Sequence, residues 1–205
     1  MFCKQSCSVC ARLRAAALEI VGSEGIEALT IESLASEASL PPDQVRLHYP
    51  STSVCLSETY EEVSRSVLDD FKAAFEAEKG WRDALTAGAR RLLERMAAHP
   101  AEARLCFQEI LRADHELLRR RDAARKRMID LFVRELRRRQ RDGPVPRTQL
   151  ELLIGAGFQA IATAVAEDRI ARLPELLPEL TLRAYVFEPS EPVTAQAASV
   201  AVFVE

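Results

Sequence analysis

Cys3, Cys7 and Cys10, near the start of the chain, are the residues whose type and spacing are best suited to chemistry. A C-x3-C-x2-C run can hold three irons of a four-iron cluster, as in radical enzymes, or bind another soft metal. It can also sense oxidants, because thiolates beside Lys4 and Arg12 would have depressed pKa values. A cluster enzyme needs a large α/β barrel around it, and no alternation of strand and helix patterns follows. No histidine within the same segment offers a further ligand, so a flexible tail with three inert thiols is the simplest reading. No cofactor and no resident metal are therefore expected, with Cys3, Cys7 and Cys10 as the candidate ligands. The three histidines lack partners at i, i+4, and His99 and His115 suit surface or capping positions. No Ser-His-Asp order, glycine-rich phosphate loop or carboxylate pair in an apolar setting stands out, so no enzymatic activity is expected.

The elements that must position these residues are helical. The 205 residues include only seven glycines and are rich in Ala, Leu, Glu and Arg, which lose little rotamer freedom in a helix. An all-α fold is expected. Leu13, Ala16, Ala17, Ile20 and Val21 recur at helical spacing, and Gly25 suits the left-handed residue that closes the helix. Thr30 caps a short second helix bearing Leu34, Ala35 and Ala38. Ser39-Leu40-Pro41 makes a turn, and residues 42–49 form a third helix with proline at its permitted first turn. Pro50-Ser51 starts a long fourth helix, to about Glu78, on which Leu56, Tyr60, Val63, Val67, Phe71 and Phe75 form one stripe. Further helices are expected from Trp81 to His99, from Ala101 to about Ala113, from about Glu116 to Arg141, from Gln149 to Asp168 and from Pro174 to Phe187. Asp142-Gly143-Pro144 separates the third and fourth of these. The last two are too apolar for one small domain to cover, so a homodimer is expected to bury Leu150, Leu153, Ile154, Gly157, Ile161, Leu177 and Leu180. Cys55 and Cys106 sit on apolar faces as small core residues.

Charge is uneven along the chain. Residues 1–60 carry four Lys/Arg against seven Asp/Glu, whereas residues 104–142 carry thirteen against seven. The basic runs Arg119 to Arg121, Arg125 to Arg127 and Arg137 to Arg139 are interleaved with acids and read as a solvated helix. No apolar run approaches the roughly 20 residues that span a bilayer, and the N-terminus lacks the pattern of a secretory signal. No membrane partner and a cytoplasmic location are expected.

The ordered features of residues 13–60 resemble the TetR family of transcriptional regulators. A threonine caps helix two (Thr30), an Ile/Leu-Ala pair follows (Leu34-Ala35), and a short reading helix ends in an aromatic residue (Tyr49) before Pro50-Ser51 caps helix four. The resemblance implies a tail over 1–10, a helix-turn-helix DNA-binding domain over 11–50, a helical regulatory and dimerisation domain over 51–187 and a C-terminal tail over 188–205. It implies a reading helix in the major groove of double-stranded DNA, with Gln44 suited to adenine and Arg46 to guanine or phosphate. Thr30, His48, Tyr49, Ser51 and Thr52 would contact the DNA backbone. It also implies a cavity for a small apolar effector, with Trp81, Leu92, Met96, Phe107, Leu111, Met128, Phe132 and Phe158 as candidate lining. The implied function is a dimeric repressor released by that effector. The pattern departs from the family at Ser39, where glycine is common, at Pro41 and Asp43, where a serine cap and a small residue are common, and at Thr52, where a lysine is common. Each departure weakens phosphate binding, and the alternative is a helical dimeric ligand-binding or interaction protein with a vestigial helix-turn-helix.

Overall fold

The computed structural model describes residues 7–139 and 147–185, and all regular structure in them is helical. The helices are α1 (Ser8–Glu24), α2 (Ile31–Glu37), α3 (Pro42–His48), α4 (Thr52–Ala77), α5 (Trp81–Ala98), α6 (Pro100–Phe107), α7 (His115–Arg139), α8 (Arg147–Ala166) and α9 (Leu177–Tyr185). Short 3-10 segments cover Ile26–Ala28, Glu109–Arg112 and Ile170–Leu176. Cys3, the Asp142-Gly143-Pro144 break and the expected tail over 188–205 lie outside the described residues.

Helix α1 begins earlier than its apolar pattern suggests. Cys7 is its N-cap, and its sulfur accepts a hydrogen bond from the Cys10 amide at 3.2 Å. Residues 8–10, expected in the tail, are therefore the first turn of the helix. A cap needs only a side-chain acceptor next to free amides, and sulfur serves here in place of oxygen. Leu13, Ala17, Ile20 and Val21 fill the core, and Gly25, at φ 91°, closes the helix. Thr30 and Ser33 form a reciprocal capping box on α2. Helix α2 ends with the Leu40 amide bonded to the Ala35 carbonyl at 2.9 Å while Ser39 takes φ 50°. Glycine occupies that left-handed position at least cost. Ser39→Gly is therefore expected to raise stability by about 0.5–1 kcal/mol and the melting temperature by roughly 1–4 °C. An unchanged thermal melt would show that the turn relaxes instead.

Two apolar clusters run through the molecule. One joins α1, α2, α3 and the first half of α4 with Leu105, Ile110 and Leu117, and the other joins the rest of α4 with α5, α7, α8 and α9. Val67 packs against both. Two expected helices are interrupted. The segment after Pro100 leaves α-geometry at Gln108 and tightens into a 3-10 turn that buries Glu109 and Ile110. The segment from Pro174 starts later, because Pro174 sits in a 3-10 turn and α9 opens at Leu177 with Pro178 in its first turn. Among the described residues, α8 alone is long and apolar enough to cross a membrane by length and composition, with only 28% of it buried. Gln149, Glu151 and Gln159 interrupt its apolar residues, so no continuous apolar run marks it in the sequence.

Candidate nucleic-acid interface and ligand cavity

Helix α3 is fixed from below and open from above. Val45 is fully buried, while Asp43, Gln44, Arg46 and Leu47 are exposed. Gln44 is thus free to meet a base edge. Leu47, 80% exposed, was not singled out from the sequence, since an isolated leucine in a short helix reads as core. It can make the apolar contact that suits a thymine methyl group. Thr30 and Ser51 lie on the surface at the starts of α2 and α4, and the Ser51 hydroxyl accepts from the Val54 amide at 3.3 Å. Thr52, half-buried, opens α4.

Tyr49 cannot be a backbone contact as expected. It is 2% exposed, its hydroxyl donates to Glu58 at 2.9 Å and accepts from Arg14 at 3.2 Å, and burial pushes its phenol well above the usual range. The aromatic residue at the end of the reading helix docks α3 onto α1 and α4 instead. Burial alone would lower the pKa of Arg14, but hydrogen bonds to Tyr49 and Glu62 outweigh it and hold the guanidinium charged. His48 is half-buried, with Nδ1 facing the sulfurs of Cys7 and Cys10 at 3.6 and 3.4 Å.

The cations of this region are committed to protein partners. Among the described residues up to 60 they are Arg12, Arg14 and Arg46. Arg12 donates to the carbonyls of Ala38 and Ser39 and so holds the turn before α3. Arg14 is buried beneath Tyr49 and paired with Glu62. Arg46 is exposed but lies 3.3 Å from both Asp43 and Glu32. Any attraction for phosphate at this surface would therefore fall chiefly to helix termini.

A cavity of about 240 Å³ lies between α4, α5, α6, α7 and α8. Leu92, Met96, Phe107, Leu111, Met128 and Phe158 line it, as expected. Trp81 and Phe132 do not. They pack edge-to-face at 5.9 Å in an aromatic group with Phe71 and Phe75. Phe132 faces a smaller apolar cavity of about 80 Å³ behind, and Leu92, Met128 and Phe158 wall both spaces. The main cavity is more polar than the sequence suggested. Ser64, Gln159, Arg121 and Arg125 reach it. The two arginines belong to a basic run read as solvated; Arg121 is half-buried and Arg125 is exposed at the cavity's rim. Cys106 lines the cavity, whereas Cys55 is fully buried and burial pushes its thiol up to about 12.

The arrangement of α8 corrects the expected dimer surface. Leu150, Ile154 and Ile161 are at most 6% exposed within the single chain, so they belong to its core. Leu153, Gly157, Leu177 and Leu180 are half-buried, and Leu152, not singled out from the sequence, is 67% exposed. Of the stripe first read as outward, the chain itself covers Leu150, Ile154 and Ile161 and leaves the other four partly open.

No protein-family model matches the chain, and no curated protein sequence matches it. Solved structures do. The fatty acid degradation regulator FadR from Bacillus halodurans gives a TM-score of 0.77 at 14% identity, over 87% of this chain and 95% of that one. A tetR-family regulatory protein from Rhodococcus RHA1 gives 0.66 at 23% identity, over 86% and 98%. The fold is that of the TetR regulators. FadR from Bacillus subtilis, solved in complex with stearoyl-CoA, gives 0.72 at 14% identity, over 84% of this chain and 95% of its own. All three are described as regulators.

Proposed function

We propose that the chain is a dimeric, cytoplasmic DNA-binding repressor of the TetR type, released when an amphiphilic effector enters the cavity between α4 and α8. The observation that carries this reading is the TetR fold itself, with an exposed reading helix at one end and a cavity at the other. Gln44 and Leu47 supply base contacts, and the helix starts at Thr30 and Ser51 supply phosphate contacts. Leu152, Ala156 and Thr163, on the outward side of α8, support a face on which a second copy packs closely. Dimeric reading heads imply two half-sites one helical turn or a multiple of it apart. Footprinting on the DNA flanking the chain's own gene tests this: paired protection is expected, and uniform or absent protection sinks it.

The effector's chemistry follows from the lining. Met96, Met128, Phe107 and Phe158 suit an apolar body, and Arg121, Arg125 and Gln159 suit an anionic group. Arg125 makes no ion pair with any described residue, and a Cβ placed on Gly155 of α8 would lie 3.6 Å from its guanidinium. Stearoyl-CoA, the ligand of the Bacillus subtilis FadR structure, is the first molecule to assay. Arg125→Ala is expected to weaken its binding about tenfold, the loss of a partly solvated charged hydrogen bond of ~1.4 kcal/mol. Equal affinity by calorimetric titration would place the anionic group elsewhere.

The route from cavity to reader runs through α6. Phe107, Ile110 and Leu111 of α6 and its following turn line the cavity. The same element holds α1: Arg104 donates to the Gly22 carbonyl at 2.9 Å, and the Glu109 carboxylate accepts from the Ile26 amide at 2.9 Å. An effector that displaces Phe107 moves α6 and with it α1, while α4 carries the same displacement to α3. This is a coupling between two sites through packed elements with two arrangements.

A further inference from the structure

The geometry points to a zinc-class metal site formed by Cys7 and Cys10 at the start of α1 and His48 at the end of α3. The three side chains each offer one ligand atom, and these atoms all lie within 4.8 Å of one another. His48 Nδ1 stands 3.6 Å from the Cys7 sulfur and 3.4 Å from the Cys10 sulfur. Metal–sulfur and metal–nitrogen bonds of about 2.3 and 2.05 Å at a tetrahedral angle place sulfur and nitrogen about 3.6 Å apart. Both sulfur–nitrogen separations therefore match those around one shared ion.

A hydrogen bond explains this arrangement less well. The Nδ1 of a neutral imidazole either accepts one proton or donates one, so it serves a single sulfur, yet two sulfurs face it at similar distance. One cation between them serves both. The local structure also suits thiolates. Cys7 and Cys10 are the N-cap and third residue of a helix, where backbone amides and the dipole favour negative charge, and the Cys10 amide already donates to the Cys7 sulfur. Cys10 is 3% exposed, which shields one side, while Cys7 and His48 are half-buried and leave the other side for a fourth ligand. Two thiolates and an imidazole in a tetrahedral set select a borderline-soft ion such as Zn²⁺ over calcium or magnesium. Binding releases the thiol protons to solvent, so affinity rises with pH until the thiols are ionised. The consequence for the fold is a cross-link from the first turn of α1 to the last residue of the reading helix.

The test uses the full chain, freed of metal by a chelator under reducing conditions, with zinc alone titrated against a chromophoric competitor. One ion per chain is expected, and cobalt in its place should give thiolate-to-metal charge-transfer absorption with tetrahedral ligand-field bands. Cys7→Ser retains a capping side chain while removing a soft ligand, and it is expected to weaken zinc binding by about 100-fold or more, given that outer partners of ligands already account for 10–100-fold. His48→Gln is expected to do the same, with far-ultraviolet circular dichroism unchanged in both. Substoichiometric zinc in the parent chain, octahedral cobalt spectra, or unchanged affinity in either folded variant would overturn the site. No DNA enters the measurement, so its outcome is independent of whether α3 reads DNA.

Discussion

Asp43→Ala is expected to tighten DNA binding by about ten- to thirtyfold for the dimer, at the salt concentration where the parent chain is half-bound. Asp43 is fully on the surface of the reading helix and holds Arg46 at 3.3 Å. Its removal deletes a charge that repels phosphate and releases the one exposed cation described on that helix. Glu32 remains 3.3 Å from Arg46, so the release is partial, and a surface pair of this kind contributes no more than about 1 kcal/mol. Two reading heads and the lost repulsion bring the sum to roughly 1.4–2 kcal/mol. Because each head gains about one phosphate contact, the dependence of log affinity on log salt should steepen by about 1.8. Weaker binding in the variant would mean that Asp43 itself meets a base edge. An unchanged salt slope would mean that Arg46 does not reach the DNA.

Gly22→Ala is expected to destabilise the chain by about 2–3 kcal/mol, through overpacking at a backbone contact. A Cβ built on Gly22 would lie 2.5 Å from the Ala101 Cβ and 2.6 Å from its Cα. Real atoms cannot approach so closely, and because Ala101 offers backbone rather than a flexible tip, α1 and α6 must part. The melting temperature should fall by roughly 4–12 °C for a domain of this size. The carbonyl of Gly22 also accepts from Arg104, so separation breaks the bond that ties cavity wall to reader. On the proposed function, the variant should take up the effector as the parent does but release DNA less completely on binding it. Adding Ala101→Gly should recover only part of the stability, since the Ala101 Cα remains within 2.6 Å. An unchanged melt would show slack at this contact, and intact release would route the coupling through α4 alone.

The residues that fixed the fold from sequence were those with local consequences. Gly25, Thr30, Pro42 and Ser51 mark helix ends through their own backbone preferences, and each sits where those preferences place it. Cys7 escaped notice as a cap because its capping atom is a sulfur and the apolar periodicity starts later. The site was less legible, because its features depend on how helices are rotated and on partners far away in sequence. Tyr49 ends the reading helix as the pattern suggests, but its partners Arg14 and Glu58 come from α1 and α4 and turn it inward. The same holds for Arg121 and Arg125, whose place at the edge of the cavity depends on α7 crossing α4 and α8. Leu150, Ile154 and Ile161 share one face of α8, and periodicity identifies such a face without saying whether the chain itself or a second copy covers it. His48 stands 38 residues from Cys10, so no local spacing could have joined it to the cysteines.

The central claim is that α3, despite its acidic surroundings, reads a DNA sequence. Its most direct test is fluorescence anisotropy of labelled DNA from the flank of the chain's own gene against a scrambled duplex of equal length, across a series of salt concentrations. Preference for the native flank by a factor of about 10³ or more is expected, with a shallow salt slope corresponding to only a few phosphate contacts in the dimer. Equal affinity for both duplexes, or no binding to either at low salt, would contradict it.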